Sequence, residues 1–262
     1  MDFKILTGQL LAQFRASVDE NFYKVLNSTP KLEIPVDYFQ FYTSVSSVYS
    51  SKIEGVDIDF DSYFKYKFLN AKYKPDYTRK TDDLYRAYEY VFNNRLNLEN
   101  LLKAHSILSL NILPRSQQGK IRNTLMFVVN GQDRIEYVAA EPEILHSEIE
   151  KLFADIEQLL EYQIDEIESF YYASLIHLTF VKIHPFQDGN GRAGRLLEKW
   201  FLKEKIGERV ISVPLERNYY RNIRLYYSNI KKLGVEYPEL DYTKALDFLM
   251  MTINSLKETT EE

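Results

Sequence analysis

Apolar residues recur along this chain at three- and four-residue spacing, which predicts helices almost throughout. Between residues 3 and 26 the apolar positions 3, 6, 10, 11, 14, 18, 22, 25 and 26 predict one helix or a pair of helices. Pro30 and Pro35 bracket a connector. From Val36 to Glu54 the residues Tyr38, Phe41, Tyr42, Val45, Val48 and Tyr49 again follow the helical rule, and Gly55 stands where a left-handed residue ends a helix. Further helices are expected near 57–70, 78–94, 97–111, 141–161, 165–183, 192–206 and 216–232, with one more from Asp241 to Lys257. One segment departs from the pattern. Leu125–Val129 and Ile135–Val138 are β-prone and flank Asn130-Gly131, a strong hairpin signal. The expected fold class is mainly α, a helical bundle with one small β-hairpin.

Composition narrows the function. A chain of 262 residues can bury a substantial core in one domain, or one domain plus an extension. Lys and Arg number 33 against 38 Asp and Glu, a formal net charge of -5, which argues against a general nucleic-acid binder. With no cysteine, neither a disulfide framework nor a thiolate metal site can form. No apolar run approaches a membrane span, and Met1 to Gln9 lack the charged start and continuous apolar core of a signal peptide. Cytoplasmic residence, with neither nucleic acid nor membrane as partner, is the expectation. His105, His146 and His177 lie on predicted helices without metal-ligand spacing, which assigns them packing or surface roles.

The chemistry concentrates in His184-Pro185-Phe186-Gln187-Asp188-Gly189-Asn190-Gly191-Arg192-Ala193-Gly194-Arg195. A glycine-rich turn opening a helix presents free backbone N–H groups and the positive end of the helix dipole, a setting suited to phosphate. Here a histidine base stands at one end and two arginines at the other. Gly189 to Gly194 also spell G-x-G-x-x-G, but that fingerprint needs a preceding strand, and the apolar residues at 172, 175, 176, 180 and 183 have helical spacing. A P-loop fails because Arg195 and Leu196 follow Gly194 in place of Lys and Ser/Thr. An EF-hand loop from Asp188 would put Arg192 at a ligand position. A helix, a phosphate-binding loop and a second helix remain.

This segment resembles the signature of the Fic (Fido-domain) family, H-P-F-x-(D/E)-G-N-G-R-x-x-R, and meets every fixed position. The resemblance extends more loosely from about Tyr38 to Ser228. It implies a Fic domain over 36–232, carrying an inhibitory helix at 36–54, a flap at about 124–139 and the catalytic loop at 184–195. An N-terminal helical extension (1–35) and a C-terminal helical segment (233–262) would flank it. The implied activity is transfer of AMP from ATP to a Ser, Thr or Tyr hydroxyl of a protein, including the enzyme itself. His184 would be the general base and Asp188 the ligand of Mg²⁺. Gly189, Asn190, Gly191, Arg192 and Arg195 would bind the phosphates, Asn190 adding a side-chain contact. Gly119-Lys120-Ile121-Arg122 resembles the G-x-x-R preceding the flap, whose Glu136, Tyr137, Val138 and Ala139 would position the target. Tyr219-Tyr220 resembles a pair lining the nucleotide pocket in many relatives. Those relatives often carry an Asn seven residues after the second Tyr, where this chain has Tyr227.

Upstream, Ser50-Ser51-Lys52-Ile53-Glu54-Gly55 matches the family's inhibitory pattern, (S/T)-x-x-x-E-(G/N). Ser50 and Glu54, four apart, share a helix face. The resemblance implies that Glu54 pairs with Arg195 and blocks productive ATP binding from within the same chain. The alternatives are removal of AMP from a modified protein at the same site, and a nucleotide-binding regulatory module without turnover. The N-terminal helix is expected to pack either on the core or on a second subunit, so a homodimer stays open.

Overall fold

The computed structural model describes residues 2–28, 37–129 and 135–260. Its centre is the helix at Glu166–Ile183 (α8 in chain order), buried along nearly its whole length from Ile167 to Ile183. A helix apolar on every side belongs inside a core. Its start is fixed by a capping box: the Asp165 carboxylate accepts from Glu168 N–H at 2.9 Å and the Glu168 carboxylate from Asp165 N–H at 3.2 Å. The helix at Asn190–Ile206 (α9) packs on α8 through Gly194, where an added Cβ would lie 2.8 Å from His177 Cδ2 and 2.9 Å from Val181 Cγ1. Only glycine permits this approach.

The remaining helices surround that pair. Tyr38–Ile53 (α3) packs on Pro75–Phe92 (α5) and Leu215–Arg221 (α10), while Leu98–Leu108 (α6) packs on α5 and α9. Pro142–Glu161 (α7) and Leu246–Asn254 (α12) cover α8. Phe60–Phe68 (α4) follows α3 and builds a satellite cluster in which Tyr63 packs with Val48, Ile58 and Tyr85. Ile223–Lys231 (α11) touches α12 and one end of α10. A buried ion pair fastens α3 to this frame: Lys199 Nζ donates to Glu216 at 2.8 Å and Ser46 Oγ at 2.6 Å, and Tyr88 O–H donates to the other Glu216 oxygen at 2.6 Å.

The mainly helical expectation holds, with two local corrections. The stretch 3–26 takes the paired form, with short helices at Leu11–Ala16 (α1) and Phe22–Asn27 (α2). Residues before α1 are pinned instead by the Asp155 carboxylate on α7, which accepts the N–H groups of Lys4, Ile5 and Leu6 at 2.8–2.9 Å. Leu6, Phe14, Phe22 and Leu26 are buried in the chain's own core. The expected helix at 216–232 breaks at Asn222, whose amide donates to Asn218 O at 3.1 Å and Oδ1 at 2.9 Å, so α10 and α11 are separate. Near 241–257 the α-helix covers only Leu246–Asn254, with 3₁₀ turns at Tyr242–Lys244 and Ser255–Thr260.

The hairpin forms where the β-prone runs predict it. Phe127–Val129 (β1) and Ile135–Val138 (β2) are antiparallel, Phe127 opposite Val138 and Val128 opposite Tyr137, with an irregularity before Val129. The Asn130-Gly131 turn and the Pro30–Pro35 connector lie outside the described residues. On its other side β2 is held by Val138 N–H donating to Val235 O at 2.8 Å. Among the described residues no helix is long and apolar enough to cross a membrane.

Candidate active site

The site begins where α8 ends. His184 adopts a left-handed conformation (φ 55, ψ 58), which a non-glycine residue takes only when its surroundings enforce it. Its Nδ1 lies 3.1 Å from the carbonyl of Val181. A carbonyl can only accept, so Nδ1 carries the proton of neutral imidazole and Nε2 keeps its lone pair. Burial, reinforced by the Arg122 guanidinium, pushes the imidazole below the ordinary histidine range against the opposing pull of Val181 O, Glu54 and Asp188. The group is therefore a neutral base at neutral pH.

Beyond His184 the loop is closed by its own side chains. Asn190 Oδ1 accepts from Phe186 N–H and Nδ2 donates to Phe186 O, both at 2.8 Å. Its carboxamide thus shapes the loop, the two bonds using one of its two acceptor sites and one of its two donors. Gly189 is left-handed (φ 82), as the turn requires. The first helical bond of α9 runs from Ala193 N–H to Gly189 O at 2.9 Å, so the N–H groups of Asn190, Gly191 and Arg192 stand free of helical partners. Asp188, its side chain about half exposed, accepts from Gly189 N–H and lies 3.6 Å from Arg192 Nη2.

His105 supports this loop from below, a role the sequence reading missed. Its Nδ1 accepts from Gly119 N–H at 3.0 Å, which leaves Nε2–H to donate to Asp188 O at 2.9 Å. The ring stacks on Phe186 at 3.6 Å and 10°. Burial pushes its pKa down to about 4, so it stays neutral and keeps this pattern of one acceptor and one donor.

Arg195 is fully buried on α9, and the pair with Glu54 is present at 2.7 Å. Three more contacts hold the guanidinium: Nε to Ser50 Oγ at 2.9 Å, Nη2 to Ser50 O at 3.1 Å, and Nη1 to Tyr226 Oη at 3.2 Å. Burial alone would raise the Glu54 pKa, but Arg195 and Arg192 outweigh it and hold the carboxyl below its ordinary value. Glu54 caps the end of α3, and Gly55 after it is left-handed (φ 78). A Cβ on Gly191 would collide with Glu54 Oε1, so the carboxylate lies directly against the first turn of α9. Arg192 is also buried, and among the described residues its Nε has no hydrogen-bond partner.

These groups open on one cavity of about 460 Å³, bounded by Glu54, His184, Gly191 and Arg195 on one side and by Glu136 and Tyr137 of the hairpin on the other. Tyr137 turns inward and donates to Lys182 O at 2.6 Å. Glu136 pairs with Lys231 across the cavity mouth at 2.7 Å. Val138 and Ala139 face elsewhere: Val138 bonds Val235, and the buried Ala139 donates to Met126 O at 3.1 Å. The expected tyrosine pair also lies elsewhere. Tyr219 is in the core, its hydroxyl between Glu198 (2.7 Å) and Thr252 (2.8 Å), while Tyr220 packs on Tyr49 under Lys52. The cavity wall is formed by Tyr226 and Tyr227 on α11. The helix break at Asn222 resets the face each tyrosine presents. Tyr227 O–H also donates to Ile53 O at 3.2 Å, tethering the end of α3. Buried His177 joins Tyr226 (3.1 Å) to Glu198 (2.8 Å), so it too belongs to the scaffold behind Arg195.

Residues 95–202 match the Fic/DOC family. Over 99% of its length the chain superposes on 76% of a Fic family protein from Desulfovibrio desulfuricans, with TM-score 0.74 and 17% identity. A Fic domain containing signaling protein from Bacteroides thetaiotaomicron matches 95% of the chain over 93% of its own length, with TM-score 0.61 and 16% identity. Fic-1 from C. elegans matches 95% over 71%, with TM-score 0.65 and 16% identity. At such identities the likeness is one of fold.

Proposed function

We propose that this chain, a Fic/Fido-domain protein, transfers AMP from ATP to a hydroxyl side chain of a protein. The observation that carries the reading is the convergence, in one cavity, of a neutral base (His184), Gly191 in the first turn of α9 and buried Arg195, with buried Arg192 beside Gly191 in the same turn. The target hydroxyl gives its proton to His184 Nε2 as its oxygen bonds to the α-phosphorus, and the bond to diphosphate breaks. A positioned base contributes about 10²–10⁴ in rate. The α9 N–H groups and the two arginines accept the phosphate charge in a site already arranged for it. Arg192 Nε, buried and without a partner among the described residues, suits an anion.

Mg²⁺ fits this donor set. Among the described residues no group of three or more His, Asp or Glu side chains could hold a metal by itself; the half-exposed Asp188 would supply a carboxylate, and Mg²⁺ is commonly held by one or two carboxylates plus phosphate oxygens. When bound, the ion neutralises and orients the phosphates. Glu54 opposes all of this: its carboxylate holds Arg195 and repels phosphate from the first turn of α9.

The test incubates wild type, Glu54→Gly and Glu54→Gly/His184→Ala with α-labelled ATP, Mg²⁺ and a lysate. Label on protein from Glu54→Gly alone is expected. Absence of label from all three, with ATP bound, overturns the transfer reading and turns attention to removal of AMP, another phosphate donor or nucleotide sensing.

A further inference from the structure

Arg122 is 5% exposed, yet it does not line the cavity and, among the described residues, pairs with no carboxylate. Its guanidinium is spent on backbone. Nε donates to His184 O at 2.8 Å, Nη1 to Thr124 O and Nη2 to Ala140 O at 2.6 Å. Its own N–H donates to Pro185 O at 2.9 Å. Thr124 and Ala140 are the two ends of the hairpin segment; His184 and Pro185 open the catalytic loop. One side chain therefore fixes both ends of the flap against the base. Burying a cation among neutral carbonyls is costly, and a rigid fork of five donors is what can reach three carbonyls at once.

We propose that Arg122 is a positioning residue that registers the flap, and the protein segment it presents, against His184. Its action falls on the target and spares the nucleotide. The phosphate half of the loop has its own support in His105, which bonds Asp188 O, whereas no Arg122 contact reaches 188–195. A clamp on both flap ends also predicts that the hairpin opens as a unit when the clamp is lost. The kinetic consequence rests on the transferase reading; the clamp itself does not.

The experiment compares Arg122→Lys and Arg122→Gln in the Glu54→Gly protein. It reads amide exchange at 127–129 and 135–138, the KM and kcat for a labelled target, and ATP affinity by calorimetry. Both variants are expected to speed hairpin exchange and to weaken target kcat/KM by about 10- to 100-fold, since small misplacements of reacting groups cost that much. ATP affinity should stay within about twofold. Lysine keeps the charge but loses the fork, so restoration by lysine would overturn the clamp, as would unchanged hairpin exchange or a parallel loss of ATP affinity. Should either variant fail to fold, a glycine inserted between Ala139 and Ala140 shifts the flap end with Arg122 intact. The same selective loss is expected, and unchanged target kinetics would overturn the proposal. If the Glu54→Gly parent labels no protein, the transferase reading fails, while amide exchange still decides the clamp.

Discussion

Replacing Glu54 by glycine removes a carboxylate bonded to Arg195 at 2.7 Å and lying against Gly191. The side chains of the pair are 25% and 1% exposed, so it lies between a surface ion pair and a buried one. On the proposed reading, in which this pair opposes ATP, the bias toward the blocked state would be about 1.5–3 kcal/mol, or roughly 10- to 150-fold in productive ATP binding. Arg195 would keep Ser50 and Tyr226 as partners, so the cation is not stranded. A cost of about 1–2 kcal/mol would lower the melting temperature by roughly 2–8 °C. The signature is a variant less stable and more active. Because the carboxyl's folded pKa is depressed, the pair's contribution is complete above the ordinary value of about 4.3 and is lost only as pH falls through the folded value. The activation ratio should therefore be flat from pH 6 to 8. The assay is the initial rate of protein labelling at ATP below KM, with ATP affinity measured separately. A ratio near one, with unchanged affinity, would refute the argument that this carboxylate competes with phosphate.

Other consequences follow from the same geometry. In the Glu54→Gly protein the acid limb of kcat/KM should fall below the ordinary histidine value of about 6.5, because burial and Arg122 depress His184 and only its neutral form accepts a proton; a midpoint at or above that value would count against His184 as base. Asp188→Ala should raise the Mg²⁺ concentration needed for half-maximal labelling by about tenfold or more with little change in melting temperature, the carboxylate being about half exposed; an unchanged Mg²⁺ titration would remove it as ligand. Gly194→Val should destabilise by about 1–3 kcal/mol or more in chemical denaturation, since its Cβ would press on His177 and Val181; a neutral effect would mean that α8 and α9 can separate freely.

Local chemistry was legible. The helical spacing of α8, the loop from His184 to Arg195, the glycine after Glu54 and the two short β-prone runs each carry their signal within a few residues, where propensity and turn chemistry act. The Glu54–Arg195 pair was reached only through the family resemblance, because 141 residues separate its partners and no spacing rule spans that distance. The structure decided the rest by packing. His105 supports Asp188 because α6 packs on α9, and Arg122 finds three carbonyls because both ends of the hairpin return beside the end of α8. The tyrosines at the cavity are 226 and 227, rather than 219 and 220, because the chain breaks at Asn222 and each helix turns its own face inward. A sequence determines which backbone a segment favours and which groups it carries. Which carbonyl, cation or ring each group meets depends on how buried surfaces fit together, and that is settled only when the whole core closes.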